Sequence, residues 1–288
     1  MARRPDIRIA KVAQMRGHKD AIYDFVLDQE ARVIYSAGAD GYIVEWQIDF
    51  PEDGRVVLTA DEALYSVGMV DGSLKTGTRS GVIYSIDLIR KKLDEQKSTH
   101  KGGVFFINEH GSGGEDGIFY SHIQNALQIS SKSLRCYEIG EKAIYVGCSD
   151  YAIYVLDKET LEVLQKLEGH TNSVIALELL DENTLVSTGR DAMIRAWDLT
   201  LGKEVHSVPA HDYQAKSLSW NGQILLSSSM DKTIKLWSDQ LELWKVIDFD
   251  RYQGHTNCIN KVEWIDSEHF VSCSDDRSLV LWKVEIKI

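Results

Sequence analysis

One pattern recurs four times along the 288-residue chain and limits what it can fold into. SAGADGYIVEW ends at Trp46, STGRDAMIRAW at Trp197, SSSMDKTIKLW at Trp237 and SCSDDRSLVLW at Trp282. In each segment a Ser is followed four residues later by an Asp, and the Trp stands six residues beyond that. A His lies 26 to 28 residues upstream of each Trp, at His18, His170, His211 and His255. Continuing the same period through the gaps places Ile86, His122 and Leu156 in the Trp slot and Ala60, His100 and Ser130 in the His slot. Successive Trp slots are then 40, 36, 34, 41, 40 and 45 residues apart. Self-similarity at such a period marks a chain built of stacked units, each unable to bury its apolar face alone.

Each unit reads as strands: the chain holds three prolines, short β-rich runs recur between turn residues, and a sustained 3.6-residue apolar period is lacking. Seven units of about 40 residues, each with a Gly-His-like start and a Trp-Asp-like end, resemble the WD-repeat family of β-propellers over nearly the whole chain. Trp197-Asp198 is the one literal Trp-Asp pair. The resemblance implies an all-β, seven-bladed β-propeller with four-stranded antiparallel blades, a single domain spanning residues 1–288.

Only KVEIKI follows Trp282, too little for a further turn and outer strand, whereas DIRIAKVAQM precedes Gly17-His18. Residues 7–14 are therefore predicted to supply the outer strand of the last blade and to close the ring, leaving short, protected edges elsewhere. The third blade has eight residues between His122 and Ser130, so its outer strand is expected to be short or missing and the blade to be the softest. The sixth has 18 between Trp237 and His255, and the residues from Leu241 to Asp250, Trp244 among them, are expected to extend the rim. GSGGEDG, residues 111–117, has the look of a phosphate-cradling loop, yet its residues 112–117 align residue for residue with residues 36–41, it reads as the turn between the second and third strands of the third blade, and it precedes a strand rather than a helix.

Ser, His and Asp recur together, as they do in hydrolases, but an active site needs one copy and this set appears four times. In WD repeats the corresponding residues resemble a buried hydrogen-bonded network that fixes a turn. The remaining histidines, His110, His122, His206 and His269, have no metal-ligand spacing, and no metal or cofactor is expected. Cys136, Cys148, Cys258 and Cys273 show no CxxC pairing and are read as free thiols. A net charge of −12 argues against nucleic acid, which needs clustered Lys and Arg. The chain lacks a signal-like or membrane-spanning apolar run, so it is expected in the cytosol and off the membrane.

If the repeated positions are structural, function must lie in residues that vary between units at a shared exposed position. Many WD-repeat proteins bind partners around the channel mouth, through the residues three and five after the His slot and the one before the turn Asp. The third-after residues are Ala21, Ala63, Gly103, Ser133, Ser173, Gln214 and Cys258. The fifth-after residues are Tyr23, Tyr65, Phe105, Arg135, Ile175, Lys216 and Asn260, and the pre-Asp set contains Arg79, Glu115, Arg190 and Asp275. The slots together carry a net +2 against −12 for the chain. Tyr23, Tyr65, Arg79, Phe105, Arg135, Arg190 and Lys216 are thus the candidate partner-binding residues, aromatics and arginines being the types that dominate binding hot spots. The partner expected is an extended or loop segment of a protein, carrying acidic or phosphorylated side chains near an aromatic anchor, bound to a monomeric, non-catalytic scaffold. The alternatives are that the aromatics merely fill the wall while the arginines pair with Glu115 and Asp275, that the channel mouth is an active site, or that the chain binds nucleic acid.

Overall fold

The structure, a computed structural model, describes residues 5–121 and 126–287, without the side chains of Ser98 and Lys287. Seven antiparallel sheets of four strands follow one another along the chain. Blades 1 to 6 take residues 22–59, 64–98, 104–128, 134–168, 174–209 and 215–247, each running in sequence order from the inner to the outer strand. The seventh breaks this order. Its three inner strands are Ile259–Trp264, His269–Ser274 and Ser278–Lys287, and its outermost strand is Asp6–Arg16. Asp6 pairs with Lys287, Ile9 with Val284 and Arg16 with Ser278, with a bulge at Val12. The closure predicted for residues 7–14 is present and somewhat longer.

A separate apolar cluster fills each junction between neighbouring blades. Met15, Phe25, Trp46 and Val271 join blades 7 and 1, while Trp264, Phe270 and Trp282 join 6 and 7. The thinnest junction lies between blades 2 and 3, where Val70, Val104 and Ile107 form the buried set. There the backbones themselves come close: a Cβ added to Gly68 would stand 2.4 Å from the Ile107 carbonyl oxygen. Little side-chain area is buried where backbones touch, so this junction gains least from the hydrophobic effect.

Two local expectations need adjustment. In blade 3 the outer strand is short, Leu127–Gln128, and His122 of the Trp slot lies outside the described residues. Gly111–Gly114 form the second strand and only Glu115-Asp116-Gly117 the turn; the glycine at 113 leaves room for the Phe106 ring, which would lie 2.2 Å from an added Cβ. In blade 6 the additional residues are divided between the sheet and an exposed turn beyond it. Leu241 is buried, Leu243–Ile247 make the outer strand, Trp244 packs partly buried at the junction with blade 7, and one helical turn, Phe249–Tyr252, follows an Asp248 cap.

Candidate functional site

The repeated Ser, His, Asp and Trp meet inside each blade rather than at a cleft. In blade 5, Trp197 Nε1 donates to Ser187 Oγ at 2.7 Å, Ser187 Oγ lies 2.6 Å from His170 Nε2, and His170 Nδ1 lies 2.9 Å from the Asp191 carboxylate. The indole can only donate and the carboxylate can only accept, so Trp donates to Ser and the His Nδ1–H donates to Asp. Asp191 also accepts the backbone N–H groups of Thr171 and Met193. Burial pushes Asp191 up, but His170 and these N–H groups outweigh it and hold the carboxyl at about 2. Blades 1, 6 and 7 repeat the arrangement through Trp46, Trp237 and Trp282. The four histidines and the four serines are all buried. Buried groups this fully bonded stabilise a turn and leave no open position for substrate.

The degenerate units show what replaces the set. Blade 3 keeps His100, Ser112 and Asp116 in the same bonds, with the Tyr120 ring 4.5 Å from the imidazole. Blade 4 keeps Asp150, which accepts from Ser130 and Tyr154. In blade 2 the carboxylate moves off the turn: Glu62 accepts the backbone N–H and hydroxyl of Ser80. The residue after the turn Asp or Ser is left-handed in all seven blades: Gly41, Gly81, Gly117, Tyr151, Ala192, Lys232 and Arg277.

The seven fifth-after residues share a structural cause. In every innermost strand the register to its neighbour slips at that residue: between Ile22 and Asp24, Leu64 and Ser66, Val104 and Phe106, Leu134 and Cys136, Val174 and Ala176, Ala215 and Ser217, and Ile259 and Lys261. Each slot residue is thus the unpaired member of a β-bulge, a device that re-aims a side chain out of the ladder. All seven line one central channel of about 1080 Å³.

Around its mouth the side chains form a graded row. The Tyr23 and Tyr65 rings meet edge to face at 5.5 Å, Tyr65 stacks on Phe105 at 6.0 Å, and the Arg135 guanidinium lies 4.0 Å over the Phe105 ring. The rings pack on each other yet each stays partly exposed. Arg79 and Arg190 are exposed and Lys216 is half-buried. Among the described residues none of Arg79, Arg135, Arg190 and Lys216 forms an ion pair. Glu115 instead accepts from the Gly103 backbone and Asp275 from the Asn260 amide, so the pairing of arginines with Glu115 and Asp275 is absent. Burial and then the Arg190 charge lower the Arg135 pKa; burial lowers that of Lys216, with Arg135 adding to it.

Deeper in the channel lie groups that the three slots do not include. Glu138, Glu178 and Glu263 stand eight residues after their His slots, and Asp24 and Lys261 stand six after theirs. Lys261 pairs with Asp24 at 2.9 Å and Glu263 at 3.2 Å. Burial pushes Glu138 up to about 7, and burial together with Glu138 raises Glu178 well above the usual carboxyl range. Two of these acids serve the fold: Asp24 accepts the backbone N–H of Val67 in blade 2, and Glu178 that of Trp220 in blade 6. Each caps the innermost edge of the next blade, where a ladder partner is lacking. The repeat period carried these groups; reading the sixth-after and eighth-after slots across the units would have found them. The described residues include no cluster of His, Cys, Asp or Glu fit to hold a metal ion. They also include no helix long and apolar enough to cross a membrane.

A closed ring of seven four-stranded blades, pinned by repeated Trp–Ser–His–Asp chains, defines a repeat β-propeller. The chain belongs to the WD-repeat family: the model described as "WD domain, G-beta repeat" matches residues 10–47, 161–198, 202–238 and 248–283, just over half of the chain. The matched units are offset from the blades by about a strand and take in the inner strands of blades 1, 5, 6 and 7, the ones that hold the complete chain of bonds. In three dimensions the protein is similar to the WD40 β-propeller domain of Doa1, with a TM-score of 0.83 and 21% identity over 96% of this chain and 97% of that one. Among curated relatives, ribosome biogenesis protein YTM1 of Lodderomyces elongisporus is 23% identical, covering 78% of this chain and 50% of that protein. The WD repeat-containing protein RUP1 of Arabidopsis thaliana is 22% identical over 80% of this chain and 55% of that protein. The ribosome biogenesis protein WDR12 homolog of Aedes aegypti is 28% identical over 40% of this chain and 28% of that protein. The chain spans about half the length of these relatives, or less.

Proposed function

We propose that the protein is a non-catalytic interaction scaffold that binds an acidic segment of a partner protein across the channel mouth. The observation that carries this reading is the row Tyr23, Tyr65, Phe105 and Arg135, continued by Arg190 and Lys216, in which the rings keep exposed area and the cations have no carboxylate partner. Rigid aromatics beside unpaired guanidinium groups are what an anchored, charge-complementary contact requires. Several relatives are named ribosome biogenesis proteins, which supports a setting of assembly with other macromolecules. Of the channel carboxylates, Asp24, Glu178 and Glu263 are engaged by backbone N–H groups or by Lys261, which argues against a catalytic role for these three.

The test is affinity capture from native extract with the wild type and a Tyr23→Ala, Tyr65→Ala, Arg190→Glu variant of unchanged melting temperature. Partners lost only with the variant support the channel mouth. Partners retained equally by both move the site to the rim or the opposite face.

A further inference from the structure

The three cations that follow the aromatic row sit on three consecutive blades. Arg135 belongs to blade 4, Arg190 to blade 5 and Lys216 to blade 6. The fifth-after slot of the blade between Arg135 and Lys216 holds Ile175, which is buried and offers no competing polar group. Three positive charges thus share one sector of the mouth without an ion pair among the described residues, and the two nearest slot acids are held by other donors. Arg190 and Lys216 each act electrostatically with Arg135, while Glu115 acts on Arg135 and Asp275 on Lys216 with the opposite sign. Arg135 adds a sharper sign: its Nε is buried and has no hydrogen-bond acceptor, while its guanidinium is seated over Phe105. A stacked guanidinium is pre-organised, and its in-plane N–H groups suit an oxyanion.

The count of donors decides which anion. A carboxylate brings two acceptor oxygens, fewer than the three cationic groups that face it. A phosphoryl group on Ser or Thr carries about −1.5 to −2 at pH 7 and three strong acceptor oxygens, enough to engage three cations at once. Resting on the channel-mouth reading above, we propose that Arg135, Arg190 and Lys216 form a phosphoryl-binding site for one phosphorylated Ser or Thr of the partner segment. Tyr23, Tyr65 and Phe105 receive an apolar side chain of that same segment. The segment therefore lies in one direction, its phosphate over blades 4 to 6 and its apolar residue over blades 1 to 3.

The full chain is passed over three immobilised degenerate peptide libraries that differ only at a fixed central residue: phosphoserine or phosphothreonine, the unmodified residue, or Glu. A fourth surface carries phosphoinositide-containing vesicles. The expected result is retention on the phosphorylated library at least about tenfold above the other peptides, the scale of one or two lost charge-assisted hydrogen bonds. That retention falls about tenfold in Arg190→Gln and in Lys216→Gln. Arg190 is exposed, so its variant folds even if the Lys216 variant does not. Equal retention on the Glu library overturns the phosphoryl site and leaves the acidic docking face standing. Retention on vesicles alone overturns the protein partner. Retention on no surface, with the capture experiment showing partners kept by the channel-mouth variant, overturns both readings.

Discussion

Single residues show how far the period alone can be read. Trp46, Trp197, Trp237 and Trp282 made four units plain because a large indole leaves a recognisable letter at a fixed place. The same bonds in blade 3 were harder to see, because His100, Ser112 and Asp116 work without that letter. The carboxylate of blade 2 was not legible at all: Glu62 does the work of a turn Asp from the preceding loop, and a register-based alignment cannot find a group that has changed place. Ser187→Ala removes both the acceptor of Trp197 and the partner of His170, at an expected cost of about 1–3 kcal/mol in denaturant unfolding. Ser112→Ala, which deprives no described indole, is expected to cost less by the same measurement.

Glu138 titrates with the opposite sense to the turn aspartates. Its pKa is raised by burial from 4.5 to about 7, so the folded chain holds a proton that the unfolded chain releases. Stability from this group is present below pH 4.5 and is lost as pH rises towards 7. Glu138→Gln should leave the urea midpoint at pH 4 nearly unchanged and raise stability by roughly 1–3 kcal/mol at pH 8. Asp191, held at about 2 despite its burial, contributes stability above the ordinary 3.8 that is lost as pH falls towards 2. A midpoint for Glu138→Gln that tracked the wild type at both pH values would remove Glu138 as the cause of any alkaline loss.

At the scale of the element, the innermost strands unite fold and site. Their ends and pairing followed from the repeat, but the bulge at the fifth-after residue did not. A period fixes which residues are equivalent; it does not say that one of them has left the ladder. Slots taken from family resemblance nevertheless fell on the bulge in all seven blades. Glu138, Glu178 and Glu263 went unread for a simpler reason, since the same strands were sampled at too few positions. The junctions differ in strength, and the one between blades 2 and 3 buries least. Amide hydrogen exchange is therefore expected to be faster in Leu64–Val70 and Val104–Asn108 than in Ile259–Trp264, which is backed by Trp264, Phe270 and Trp282. Equal protection in all three strands would mean that backbone contact at Gly68 makes up for the missing side-chain area.

On the scale of the whole molecule, the ring depends on one shared sheet. Ile7 and Met15 of the first strand are buried in the clusters on either side of blade 7, so that strand is part of two junctions at once. Removing residues 1–16 should lower the melting temperature by several degrees or more and expose the edge of Ser278–Lys287. An unchanged melting temperature would show that six complete blades and a three-stranded seventh hold the ring unaided. The short stretch after Trp282 and the strand-like stretch before Gly17-His18 made this closure readable from sequence, because a missing outer strand in one unit and a spare strand before another leave a single solution.

That pairing also sets an order of events during synthesis. Among the strands of the ring, Asp6–Arg16 is made before all the others and its partner, Ser278–Lys287, after them. Blades 1 to 6 each hold four strands that are neighbours in sequence and are able to assemble as the chain emerges, whereas the seventh has to wait for both. Until then an eleven-residue strand with an unpaired edge and buried-type residues such as Met15 stands in water. The ring is therefore most exposed to misassembly through the strand that precedes all its others, and that hazard ends only when the strand that follows them arrives.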